Sequence, residues 1–254
     1  MLKHRVIPCL LLQNGGLVKT YKFANPKYVG DPINAIRIFN EKEVDELMVL
    51  DIRASKDNHE PNYALIKQFA GECYMPLCYG GGITTVDQAQ KLFAMGVEKI
   101  SIQTAALNDL KIIEHIAKKV GNQSILASID VKKNWLGKYR LYSAATGRIQ
   151  KQSWEQFLMS AVDAGAGEVV LNAVDMDGTL QGMDLELIKT GSSAVKVPLI
   201  AIGGLNSLAN IKDAIDAGAS AIAAGAFFVF YGPHRAVLIT YPKYQELETL
   251  LNKS

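Results

Sequence analysis

Four aspartates fall where apolar runs hand over to loops. Asp130 closes ILASID, Asp51 closes LMVLD, and Asp175 and Asp177 lie in VDMDGT just beyond a third run. A carboxylate at the carboxyl end of a strand can bind a hydroxyl or move a proton, and an aspartate at such a place also braces turns. Two glycine clusters stand at comparable positions. Gly80, Gly81 and Gly82 follow one run, Gly203 and Gly204 follow another, and each cluster precedes a helical pattern by a few residues. Glycine lets backbone approach an anion closely, and a helix N-terminus offers unpaired N–H groups. Gln103 and Thr104 would complete the first cradle, and Gly225 in AAGA the second; tight turns would demand the same glycines. Lys19, shortly after Gly15-Gly16, is a candidate anion contact, and Gly178 extends the Asp177 loop. Two opposed cradles imply an elongated ligand with a phosphate at each end. Asp175-Met176-Asp177-Gly178 matches the opening of a calcium loop but lacks the later ligands and terminal glutamate, so no metal is expected.

A second constellation sits at the other ends of the runs. Arg5, Glu46, Lys99 and Glu168 each stand at or just before the start of one. Two cations and two anions would meet if those strands closed around a common axis, because buried charges must be matched there. Solvated strand starts are the alternative.

The elements that must carry these residues alternate regularly. Short apolar runs cover Val6–Leu12, Leu47–Ile52, Met75–Tyr79, Lys99–Gln103, Ile125–Asp130, Glu168–Ala173, Pro198–Ile202 and Ala221–Ala224. Helical periodicity fills the intervals, as in Pro32–Glu43, Asn62–Glu72, Thr85–Met95, Leu110–Val120, Trp154–Ala164, Asp184–Ser193 and Leu208–Ala217. Continuous rather than alternating apolar runs predict parallel strands covered on both faces. Eight such units predict a closed (β/α)₈ TIM barrel rather than an open, doubly wound sheet. An internal repeat supports closure. PLCYGGGITTVDQAQKLFAMG (76–96) and PLIAIGGLNSLANIKDAIDAG (198–218) align at an offset that also relates Glu46 to Glu168. The chain reads as two half-barrels, and with no linker between them as one domain over residues 1–254.

Composition narrows the setting. The 254 residues are 49% hydrophobic and 20% charged, with a net charge of +2, so neither a nucleic-acid nor a membrane partner is indicated. The three cysteines, Cys9, Cys73 and Cys78, form no metal-type cluster, and Cys9 and Cys78 read as small buried hydrophobes in a reducing cytoplasm. Lys3, His4 and Arg5 precede an apolar run broken by Pro8 and ended by Gln13-Asn14-Gly15-Gly16, which is not the pattern of a signal peptide. No cofactor is expected.

From RVIPCL through GDP, DELMVLDI, GGGI, KISIQTAA, SIDVK, GAGEVVLN, DMDGT and IAIGGL to AGAFF, the chain resembles the cyclase subunit of imidazole glycerol phosphate synthase over almost its whole length. The resemblance implies a barrel with a glutaminase subunit docked at its N-terminal face. Ammonia would pass along the axis to react with a doubly phosphorylated ribulose compound, giving imidazole glycerol phosphate and an aminoimidazole carboxamide ribotide. It implies that Arg5, Glu46, Lys99 and Glu168 form the gate of that channel. Gly82 and Thr104, with Gly81 and Gln103 beside them, would hold one phosphate, and Gly203, Gly204 and Gly225 the other. Asp130 matches one of two catalytic aspartates, and Lys19, Asp51, Asp177 and Gly178 fall at active-site positions.

The second catalytic aspartate of the family falls at Leu11, which cannot carry a proton. Gln103 stands for an asparagine and Gly225 for a hydroxyl residue. The CLLL strand end and CYGGGI resemble a branch of the superfamily that accompanies a glutaminase-like subunit and a sugar amidotransferase, supplying ammonia for amidino sugars of surface polysaccharides. That reading is preferred, with two alternatives: an authentic cyclase–lyase of histidine biosynthesis, and a non-catalytic partner that activates a glutaminase. Leu11 opposite Asp130 leaves open whether the chain is itself an enzyme.

Overall fold

A computed structural model describes residues 4–251; Lys3, part of the basic N-terminal cluster, lies outside them. Eight parallel strands close on themselves: β1 (Arg5–Gln13), β2 (Leu47–Asp51), β3 (Leu77–Gly80), β4 (Lys99–Ile102), β5 (Ile125–Lys133), β6 (Glu168–Ala173), β7 (Leu199–Ile202) and β8 (Ala221–Ala224). Each hydrogen-bonds to the next, and β8 returns to β1 with Arg5 opposite Ala221. The fold is the (β/α)₈ barrel that the alternation of runs predicts.

The returning helices are α1 (Pro32–Glu41), α2 (Tyr63–Glu72), α3 (Val86–Ala94), α4 (Lys111–Val120), α5 (Trp154–Asp163), α6 (Leu185–Ala194) and α7 (Leu208–Asp216), with α8 (Tyr244–Leu251) after the last strand. Most start on a side-chain cap. Asp31, Asn62, Thr85, Ser153, Asp184 and Ser207 each accept an N–H from the first turn of their helix, so the polar residue before each apolar period sets where it begins. Thr85 and Gln88 complete a capping box. Thr85, Asn62 and Asp184 thus cap helices that the sequence pattern had counted them within.

The helices bury one apolar face against the outside of the sheet, where Phe39, Phe69, Phe157 and Trp154 are fully or almost fully buried. A separate cluster fills the barrel. Ile7 and Met48, two residues above Arg5 and Glu46, join Cys78, Leu126 and Ile200 there; side chains two apart on a strand share a face. Cys9 and Cys78 are buried members of this cluster.

Three hairpins ride on the upper rim. Gly16–Tyr21 folds back on β1 and pairs with Ala24–Gly30. The extended end of β5 pairs with Tyr139–Ser143, which pairs with Arg148–Ile149. Phe230–Tyr231 pairs with Ala236–Val237. Among the described residues no helix is long and apolar enough to cross a membrane.

Candidate functional site

At the lower end, the four charges meet. The Arg5 guanidinium donates through Nη1 to Glu46 Oε2 and through Nη2 to Glu168 Oε1. Lys99 Nζ donates to Glu46 Oε2 at 2.9 Å and to Glu168 Oε2 at 3.0 Å. The result is a ring in which each cation bridges both carboxylates. The strand starts explain it, since Arg5, Lys99 and Glu168 open β1, β4 and β6 and Glu46 immediately precedes β2. Both glutamates are almost fully buried, at 2% and 6% side-chain exposure, while Arg5 and Lys99 keep 28% and 20%. Burial opposes charge on both cations, but the paired carboxylates outweigh it and hold Arg5 and Lys99 above their ordinary pKa values. Glu46 Oε1 is buried without a hydrogen-bond partner, an acceptor left over by the ring.

At the upper end, one cavity is lined by Leu11, Lys19, Asp51, Gly81, Gly82, Gln103, Thr104, Asp130, Asp177, Gly178, Gly203, Gly204 and Gly225; Asp175 is not part of that lining and instead accepts from Lys133 N at 2.7 Å. The lining residues come from both halves of the barrel. Their present duties differ. Asp130, on β5, is buried and accepts from Gln103 Nε2 at 2.6 Å. Burial pushes its carboxyl up to about 7, against the lowering effect of hydrogen bonds from Gln103 and Asn172. A carboxyl poised there can give or take a proton near neutrality. Asp51 Oδ1 accepts from the N–H groups of Arg53 and Ala54 and so braces the turn after β2.

Asp177 pins the first hairpin across the mouth. Its Oδ2 accepts from Thr20 Oγ1 at 2.7 Å and from Phe23 N, and its carbonyl accepts from Lys22 N at 2.9 Å. A Cβ on Gly178 would come within 2.1 Å of Thr20 O, so only glycine permits this crossing. The Phe23 ring then lies 6.2 Å from that of Tyr142 on the second hairpin.

The glycine clusters have an intramolecular duty as well. A Cβ on Gly82 would meet His59 O at 2.7 Å, and one on Gly204 would meet Gly182 O at 2.1 Å. Both have left-handed backbone, φ +74° and +90°. In each half-barrel the preceding loop crosses the last glycine of the cluster, which is a structural demand for glycine whether or not an anion binds.

Leu11 pairs with Leu50 in register and packs on the apolar interior cluster, so the wall facing Asp130 is greasy. Beside it Lys19, 5% exposed, donates to the Cys9 carbonyl. Burial lowers its pKa, with Cys9 and Asp177 working the other way.

Sequence reasoning missed three polar residues. Asn172 sits opposite Asp130 in register, lines the cavity, and leaves a buried Oδ1 without a partner. Ser101 and Ser128 share a 2.8 Å hydroxyl contact deeper down. The signal was there: Lys99, Ser101 and Gln103 share one face of β4, as do Ser128 and Asp130 on β5 and Glu168 and Asn172 on β6. The inner wall formed by β4, β5 and β6 is therefore punctuated by polar groups, while β1, β2, β7 and β8 present Ile7, Cys9, Leu11, Met48, Leu50, Ile200, Ile202, Ala221 and Ala223.

Comparison with known proteins adds the following. A family model described as "Histidine biosynthesis protein" matches residues 5–233. The chain is 54% identical over 249 residues to a Pseudomonas aeruginosa protein named "Putative imidazole glycerol phosphate synthase subunit hisF2", covering 98% of this chain and 99% of that one. It is 47% identical over 252 residues to a Leptospira interrogans protein named "Putative imidazole glycerol phosphate synthase subunit HisF", with 98% and 99% covered. A Streptomyces coelicolor protein named "Imidazole glycerol phosphate synthase subunit HisF" is 36% identical over 226 residues, with 89% and 90% covered.

Proposed function

The chain belongs to the histidine biosynthesis protein family, among the HisF-type cyclase subunits of imidazole glycerol phosphate synthase, and from that premise we propose that it conducts ammonia from a glutaminase-like subunit through its barrel for use in amidating a surface-polysaccharide sugar. HisF-type subunits are the barrel halves of glutamine amidotransferase complexes. In the proposed complex the glutaminase docks over the ring of Arg5, Glu46, Lys99 and Glu168. Ammonia released there passes the ring, crosses the apolar interior as the uncharged molecule, and reaches the upper cavity. A sugar amidotransferase receives it. The expected setting is the cytoplasm.

One observation carries this reading: Leu11 faces the cavity with Asp130 while the charged ring below is complete. A ring closure that needs proton transfer on both sides of the substrate has one proton carrier where it needs two. Loss of a general acid–base group typically costs about 10²–10⁴-fold in rate. The ring serves conduction alone and is unaffected by that loss.

Authentic cyclase activity is the second reading, and the poise of Asp130 near neutrality favours it. In that case Gly82 and Thr104 hold one phosphate of the substrate and Gly204 and Gly225 the other. The test supplies the purified chain with ammonium salt and the phosphoribulosyl aminoimidazole carboxamide ribotide substrate, and follows imidazole glycerol phosphate. The conduit reading expects none above background. A pull-down with glutaminase-like and amidotransferase proteins, followed by nitrogen-transfer assay, tests the partners.

A further inference from the structure

Lys19 has no anionic partner where it most needs one. Its side chain is folded inward under the first hairpin, and Nζ donates to the carbonyl of Cys9. Among the described residues no carboxylate lies within ion-pair distance of it. Asp177 is near enough to act on it electrostatically but is engaged by Thr20 and Phe23. The neighbouring wall position is Leu11, which offers no charge. Gly225 completes the arrangement, because a Cβ there would stand 2.2 Å from Nζ. The missing side chain is the space the amine occupies.

A buried ammonium without a counter-ion is costly, and a lysine so placed sheds its proton more readily. The direction of the Lys19 shift agrees. A neutral amine is a nucleophile. The neighbouring Cys9 does not compete, since burial keeps its thiol protonated up to about 11. Asp130 lines the same cavity and can supply a proton near neutrality.

We propose that Lys19 is an imine-forming lysine, whose amine adds reversibly to the aldehyde or ketone carbon of a small sugar-like compound held in the upper cavity. In the first step the nitrogen lone pair attacks the carbonyl carbon, the C=O π bond breaks, and a proton moves from nitrogen to the new alkoxide. The carbinolamine so formed takes a proton from Asp130 onto its hydroxyl, loses water, and leaves a protonated imine beside the Asp130 carboxylate. Water reverses both steps, so no oxidant or further reactant is required. The inference goes beyond ammonia conduction and does not depend on it.

The experiment uses the isolated full chain, dihydroxyacetone phosphate as the carbonyl probe and sodium cyanoborohydride to fix any imine, with peptide mass mapping of every lysine. The expected result is labelling of Lys19 at least about tenfold above any exposed lysine. Leu11→Asp, which returns a carboxylate to the same wall and holds the amine as ammonium, reduces that labelling severalfold. Lys19→Arg abolishes it, and if that variant fails to fold, the wild-type map and Leu11→Asp decide. Lys19 labelled no more than surface lysines, or labelled equally with aspartate at position 11, overturns the proposal. Because no glutaminase is present, either result leaves the conduit reading to its own test.

Discussion

The two ends of the barrel treat charge in opposite ways. Below, two cations and two carboxylates close a ring, and the single unpaired oxygen is Glu46 Oε1. Above, Asp130 faces the cavity with a neutral carboxamide for company and Lys19 with a backbone carbonyl. The lower charges are matched by one another, whereas burial moves Asp130 up and Lys19 down with no opposite charge bonded to either. On the proposed reading the lower end is the gate and the upper end the chemical site.

The largest expected effect comes from breaking the ring. Glu168→Ala removes a buried partner of both Arg5 and Lys99, and should destabilise the chain by about 3 kcal/mol. The low end of the range for buried pairs applies, because both cations are partly exposed. Urea titration reads the loss. In the proposed complex, reconstituted with a glutaminase-like subunit and a sugar amidotransferase, the same variant should release free ammonium for most of the glutamine hydrolysed. Coupling equal to wild type would remove the ring from the transport path.

Gly225→Ala sharpens the contrast from above. The added methyl occupies the place of Lys19 Nζ and also crowds Cys9 O at 3.0 Å, so the lysine must leave its inward position. A cost of about 1 kcal/mol is expected, together with loss of imine trapping at Lys19. Unchanged trapping would show that the inward position is not the reactive one.

The effect of Asp130→Asn is expected mainly in pH dependence. Folding raises the Asp130 pKa from the ordinary carboxylate range to about 7, so the folded state holds its proton where the unfolded state has lost it. The stability this contributes is complete below the ordinary carboxylate pKa of about 4 and is lost as pH rises through about 7. Asparagine cannot titrate. The variant should therefore lack that decline and gain on wild type between pH 4 and pH 8 in denaturant midpoints. A carbon-13 titration of the Asp130 carboxyl near 4 would contradict the burial argument.

The barrel was legible because its strands are continuously apolar and its helices begin at capping residues; the predicted ends of β6 and β8 coincide with the observed ones. The rim hairpins were not. Tyr139–Ser143 and Ala24–Gly30 contain no continuous apolar run and take their strand form from pairing with β5 and with the strand after β1. The site residues were legible in position and less so in duty. Gly82 and Gly204 were read as anion contacts and Gly178 as an active-site position, and the backbone crossings that also demand glycine there involve partners remote in sequence. Asn172 hid inside an apolar run, since no local pattern reveals that it stands opposite Asp130.

The most direct measurement is turnover by the isolated chain and its Leu11→Asp variant, given ammonium salt and the phosphoribulosyl substrate. The native chain is expected to form no imidazole glycerol phosphate above background, and the Leu11→Asp variant to gain about 10²-fold or more. Rapid product formation by the native chain would contradict that expectation, because a wall of leucine would then be doing the work assigned to an acid.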